Sequence, residues 1–85
     1  MPERGHRDAD LLVLGRAVRR VREQRGISID ELAGAIDIRR QRIDALESGH
    51  LDPSYELLLA VAEGLGMQPS ALVILAEQLK QSDEP

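Results

Sequence analysis

Aromatic side chains are almost missing from this sequence: Tyr55 is the only one, with no Phe and no Trp. Any hydrophobic core must therefore be assembled from Leu, Ile, Val and Ala, and that supply favours packed helices over a sheet. At 85 residues the chain can bury one modest core, so a single domain with a single function is expected. Cysteine is absent, which excludes a disulfide framework and a thiolate metal site and suits a reducing cytoplasm. No apolar run approaches the ~20 residues of a membrane span, and the start, Met1 to Asp8, has no hydrophobic stretch of the kind that directs secretion. The expectation is a soluble, cytoplasmic protein with no membrane contact.

Glycines and capping residues divide the chain into five helical segments. The first is expected from about Asp10 to Arg25, capped by Asp8 or Asp10, with Leu11, Leu14, Val18 and Val21 at helical spacing and Gly26 as its stop. Ser28-Ile29-Asp30-Glu31 has the form of a capping box, in which Ser hydroxyl and Glu carboxylate satisfy backbone N–H groups reciprocally, so a short second helix should run to about Ile36. Asp37-Ile38-Arg39 reads as a tight turn. A third helix then follows from Arg40 to Ser48 through Ile43 and Leu46, and Gly49 stops it. Asp52-Pro53-Ser54 predicts a cap with proline in the first turn of a fourth helix, which carries Tyr55, Leu58, Val61, Ala62 and Leu65 to a stop at Gly66. Gln68-Pro69-Ser70 opens a fifth helix to about Lys80. The resulting layout is a flexible segment over 1–9, a helical domain over 10–80 and a frayed end over 81–85.

Charge is distributed unevenly. The total is −4, yet residues 1–42 hold ten Arg against seven acids and residues 43–85 one Lys against eight, giving +3 and −7. A basic region is the footprint expected of a phosphate-binding surface, whereas total charge bears mainly on solubility. Two short helices joined by a three-residue turn, the second of them basic, can lay one helix in the major groove of DNA.

From Leu14-Gly15 to about Leu72 the chain resembles the helix-turn-helix domain of phage repressors and their bacterial relatives, the Cro/repressor or xenobiotic-response-element family. The matching residues are Gly15, Arg22, Gly26-Ile27-Ser28, Glu31-Leu32-Ala33, Ile38, Ile43, Leu46-Glu47, Gly49, Pro53-Ser54, Leu58, Val61-Ala62 and Leu65. The resemblance implies an all-α, compact five-helix bundle of the phage-repressor DNA-binding type, with its helix-turn-helix at about 28–48. It implies a sequence-specific transcriptional regulator of double-stranded DNA, with helix three in the major groove. It also implies a largely buried ion pair between Arg22 and Glu47.

Carried onto this chain, the family's base-reading positions fall on Arg39, Arg40, Gln41 and Arg42, with Asp44 and Ala45 a turn further on. Arg can donate two hydrogen bonds to guanine O6 and N7, and Gln can pair with adenine N6 and N7. Arg40 and Gln41 are expected to read bases, with Arg39 and Arg42 divided between bases and phosphate. Phosphate contacts are expected from backbone N–H groups at the helix starts, Ser28 and Ile29 among them, and from the Ser48-Gly49-His50 loop. Arg19 or Arg25 could add to these. Three positions depart from the family pattern: Ile29 in place of a polar Gln, Asp37 in place of the turn Gly, and Arg39 in place of a Ser or Thr cap.

Helix five has more apolar residues than a small core needs. The surplus, Val73 and Ile74, together with Leu57 and Leu59 of helix four, marks a two-fold dimer contact. Small relatives that control restriction-modification genes are similar in size and act as homodimers. A dimer would place two recognition helices about one DNA turn apart, ~34–36 Å, on a near-palindromic operator.

No constellation in the sequence supports catalysis, a metal, a cofactor or a small-molecule effector. His6 and His50 are isolated, and Ser28, Ser54 and Ser70 all stand at helix starts. The competing reading is a protein-interaction module, an antitoxin or a regulatory subunit, that kept the fold and lost DNA affinity. The acidic second half and the altered turn favour it, and fold alone does not decide between the two.

Overall fold

Five helices, α1 (Glu3–Gln24), α2 (Ile29–Ile36), α3 (Arg40–Glu47), α4 (Tyr55–Leu65) and α5 (Pro69–Asp83), make up a computed structural model. It describes the backbone of residues 3–83 and the side chains of 9–82, and contains no strand among them. Most boundaries have a local chemical cause. Ser28 accepts from the Glu31 N–H at 3.0 Å while its own N–H donates to Glu31 Oε1 at 2.8 Å, a reciprocal pair that starts α2. Ser54 Oγ accepts from the Leu57 N–H at 3.1 Å and starts α4. Gly66 ends α4 at φ +77°, a left-handed conformation that costs glycine nothing.

Three boundaries differ from the sequence expectation. Helix α1 begins at Glu3 rather than near Asp10. Asp10 is therefore inside the helix, and its carboxylate receives Lys80 Nζ from α5 at 2.8 Å instead of capping a helix start. The expected flexible segment thus overlaps α1 over 3–9, and residues 1 and 2 lie outside the described residues. Pro53 precedes the α4 cap rather than occupying the first turn; proline disfavours helical conformation in the residue before it, so the chain enters α4 extended. Helix α5 continues to Asp83, three residues beyond Lys80, and the rest of the expected frayed end, 84 and 85, lies outside the described residues.

Helix α1 packs most extensively along α5 and next against α3, while α2 sits between α3 and α4. The innermost side chains are Val18, Leu32, Ile43, Leu46, Val61, Leu65 and Leu72, with every helix represented. On α1 the buried stripe is Val13, Ala17, Val18 and Val21, whereas Leu11 and Leu14 are only half-buried. The α1–α3 crossing depends on Gly15. A Cβ there would lie 2.6 Å from the Glu47 carbonyl oxygen and closer still to that of Leu46, so the helices approach as near as backbone allows. No single helix among the described residues is long and apolar enough to cross a membrane. Helices α4 and α5 are bent by 94° to one another and direct Leu57, Val61, Leu65, Leu72 and Leu79 into the core.

Candidate nucleic-acid interface

Helices α2 and α3 are joined through Asp37, Ile38 and Arg39. Asp37 adopts the left-handed conformation, φ 58° and ψ 46°, which Asp and Asn tolerate better than other non-glycine residues. The Ile38 N–H donates to the Ala33 carbonyl at 3.0 Å and closes the end of α2. Arg39 occupies the cap position of α3 in extended conformation, and its side chain makes no capping hydrogen bond. A guanidinium has donors only, so it cannot satisfy the N–H groups that a helix start leaves open.

Ile43 and Leu46 anchor α3 in the core. Arg39, Arg40, Gln41 and Arg42 are all exposed. At about 100° per residue, Gln41 lies nearly opposite the buried pair, and Arg40 and Arg42 flank it on either side. Arg39 and Arg42 have no ion-pair partner among the described residues. Arg40 does: Nη1 lies 3.3 Å from both carboxylate oxygens of Asp30 on α2, and Nε lies 3.7 Å from Asp44 one turn along α3.

Behind this surface, Arg22 of α1 meets Glu47, the last residue of α3. Nε donates to Oε2 at 2.7 Å and Nη2 to Oε1 at 3.0 Å, while Nη1 donates to the Ile27 carbonyl at 2.9 Å. The hydrogen bond to Glu47 raises the Arg22 pKa above its ordinary value against the opposing effect of burial, and the charges of Glu47, Glu23 and Asp44 add to the rise. This pair ties the end of the presented helix to α1 and to the loop entering α2.

Several expected contact groups are committed elsewhere in the fold. The backbone N–H groups of Ser48, Gly49 and His50 donate to the carbonyls of Asp44, Leu46 and Ala45 at 3.0, 3.1 and 2.9 Å. They close the end of α3, so the loop offers its exposed Ser48 and His50 side chains rather than free amides. The Ser28 N–H is likewise taken by Glu31, which leaves the Ile29 amide at the start of α2. Arg19 pairs with Glu23 at 3.1 Å. Arg25 donates to the Leu65 carbonyl and, at 3.1 Å, to that of Gly66, closing the end of α4. Leu57 is corrected as a dimer-contact residue. It is 4 % exposed and belongs to the core, whereas Leu59, Val73 and Ile74 are 37, 41 and 53 % exposed. Helical spacing from the buried Val61 and Leu65 carries Leu57 inward and Leu59 outward.

The helix-turn-helix family model matches residues 18–72, a span that contains α2, the turn, α3 and α4 entire. The chain belongs to that family. Two solved structures of the clp gene regulator ClgR from Corynebacterium glutamicum are similar to this helix-turn-helix protein. One is 30 % identical with a TM-score of 0.83, covering 86 % of this chain and 78 % of that one. The other is 32 % identical with a TM-score of 0.79, covering 81 and 88 %. The restriction-modification controller protein C.AhdI from Aeromonas hydrophila is 30 % identical with a TM-score of 0.74, covering 75 % of this chain and 97 % of that one. No curated protein matches the chain. By family and by the regulators it resembles, this helix-turn-helix protein is a DNA-binding transcriptional regulator.

The site shows two features that sequence spacing did not supply. The Arg40–Asp44 pair is legible as an i, i+4 spacing, but the approach of Asp30 depends on how α2 packs against α3. The Arg25 contact with α4 joins residues 40 positions apart and has no local signal.

Proposed function

We propose that the protein inserts α3 into the major groove of a near-palindromic operator and binds it as a homodimer. The observation that carries the reading is the first turn of α3. Four consecutive polar side chains, Arg39, Arg40, Gln41 and Arg42, are exposed on a short helix whose inner face, Ile43 and Leu46, is locked in the core. A rigidly held helix with Arg and Gln at its leading end has the donors and acceptors that guanine and adenine edges require. Gln41, at the outermost position, and Arg40 read bases; Arg39 and Arg42 divide between bases and phosphate. The Ile29 amide at the start of α2, Ser48 and His50 are the groups left to grip the strand.

Val73 and Ile74, with Leu59, form the dimer contact in this reading, because exposed branched aliphatics beyond the needs of the core are costly in a monomer. Two-fold symmetry would set the two α3 helices ~34–36 Å apart, one DNA turn. The protein acts as a binding protein without catalytic chemistry, and works alongside the chromosome in the cytoplasm.

Purified protein incubated with a randomised pool of duplex oligonucleotides, followed by sequencing of the retained molecules at low and moderate salt, tests the reading. Enrichment of a near-palindrome with half-sites one turn apart is the expected result. A second reading, a protein-interaction module, is favoured by the two carboxylates that engage Arg40 and by the acidic second half of the chain. Absence of enrichment at both salts would replace the first reading by the second.

A further inference from the structure

We infer that Asp30 and Asp44 are specificity-determining residues, which hold Arg40 for base recognition and keep it from acting as a general phosphate contact. The inference rests on the DNA-binding reading and adds to it a mechanism for rejecting the wrong sequences.

Arg40 is the first residue of α3 and, among the described residues, the only one of Arg39, Arg40 and Arg42 with carboxylate partners. Asp30 approaches Nη1 with both oxygens at 3.3 Å and Asp44 approaches Nε at 3.7 Å. The side chains of Arg40, Asp30 and Asp44 are 57, 70 and 52 % exposed, and ion pairs that open to solvent add little to folding stability. Ion-pair stability does not account for two acids at this place, beyond the favourable position of Asp30 in the first turn of α2. Their effect on DNA does: within the cluster of Arg39, Arg40, Arg42, Asp30 and Asp44 the two aspartates offset two of the three positive charges, which lowers the sequence-independent attraction to phosphate.

The two carboxylates also discriminate between possible partners of Arg40. A phosphate that takes the guanidinium must approach two negative groups already paired with it, Asp30 within hydrogen-bonding distance of Nη1 and Asp44 at ion-pair distance from Nε, and like charges brought together oppose the contact. Guanine O6 and N7 are neutral acceptors and meet no such repulsion. With Nη1 and Nε held from two different helices, the Nη2 donors have no partner among the described residues and are available to a base edge. The bridge between α2 and α3 also limits the rotamers Arg40 explores before binding, so less freedom is lost when it docks.

Asp30→Asn and Asp44→Asn test this, with Glu63→Gln on α4 as a control of equal charge change outside the contact. Each protein is first shown by circular dichroism to keep its helical content and a cooperative melt. Affinity is then measured for the selected operator and for random-sequence duplex across about 50 to about 200 mM salt. Each Asp variant is expected to bind random duplex several-fold more tightly, with the slope of log K against log salt steeper by about one. The ratio of operator to random affinity is expected to fall roughly tenfold in Asp30→Asn/Asp44→Asn, since only the non-specific term gains. An unchanged ratio in that double variant, or an equal fall in Glu63→Gln, overturns the inference while leaving the DNA-binding reading intact. A wild-type protein that binds neither duplex at the lowest salt overturns both.

Discussion

Arg22 and Glu47 are joined by two parallel hydrogen bonds of 2.7 and 3.0 Å across 25 positions of sequence, with side chains only 10 and 6 % exposed. The pair fixes the end of α3 against α1, and the remaining guanidinium nitrogen holds the Ile27 carbonyl, so one side chain sets the relation of three segments. Removing Glu47 would strand a buried cation. Glu47→Ala is expected to cost ~3–5 kcal/mol, read as a loss of urea stability and a melt lower by well over ~10 °C. A variant that melts with the wild type would show that the pair contributes nothing to the fold. Because the Arg22 pKa is raised in the folded state, the stability its charge contributes is fully present below arginine's ordinary titration range. That stability is lost only as pH rises through the raised value, so this residue adds no slope to the stability profile at neutral or mildly alkaline pH.

Gly15 and Gly34 should respond in opposite directions to the same substitution. A Cβ at Gly15 would press into the backbone carbonyls of Leu46 and Glu47, whereas a Cβ at Gly34 meets nothing within 4 Å. Gly15→Ala is expected to destabilise by ~1–3 kcal/mol as α1 and α3 are forced apart. Gly34→Ala, inside α2, is expected to stabilise by ~0.5–1 kcal/mol through helix propensity. Paired denaturation curves measure both, and equal shifts of the same sign would contradict the packing argument.

Asp37 is the only described non-glycine residue with positive φ, at 58°. Asp37→Gly is expected to raise stability by roughly 0.5–1 kcal/mol by removing the Cβ strain, and Asp37→Val to lower it by ~1–2 kcal/mol. Equilibrium unfolding of the two variants is the measurement. A valine variant as stable as the wild type would mean that the turn relaxes out of the left-handed region.

At the DNA surface, Gln41→Ala and Arg42→Ala separate reading from gripping. Loss of Gln41 is expected to relax preference at one operator position by ~1–3 kcal/mol, seen by repeating the sequence selection. Loss of Arg42 is expected to weaken operator and random duplex alike and to flatten the salt slope by about one. A reversal of the two phenotypes would move base reading from the outermost position of α3 to its flank.

Ile74→Asp places a charge on an exposed residue of α5 that is 53 % accessible, so the protomer's fold should be unaffected. If Ile74 lies at a two-fold contact, sedimentation equilibrium will show the variant as a monomer at concentrations where the wild type is a dimer, and operator affinity will fall with it. An unaltered dimer would place the contact elsewhere.

Local chemistry made much of this protein legible in advance. Ser28 with Glu31, Ser54, Gly26, Gly49 and Gly66 act on backbone groups within a few residues of themselves, so the helix starts and stops they produce depend on nearby sequence. The inward positions of Ile43, Leu46, Val61 and Leu65 follow from helical periodicity in the same way, as does the exposure of the α3 arginines. What periodicity left undecided was set by packing between segments distant in sequence. Asp10 carries the chemistry of a cap but is paired with Lys80 within a longer α1. Leu57 and Leu59 are two residues apart and equally apolar, and the contact of α4 with the rest of the bundle determines which one is buried. The amides of Ser48, Gly49 and His50 look available in the sequence and are consumed in closing α3. Arg22 with Glu47, which only the family resemblance anticipated, Arg25 with α4 and Asp30 with Arg40 each join groups on segments distant in sequence. Their pairing exists only once those segments have packed, because a charge has no preference for one distant partner over another until the core has fixed its position.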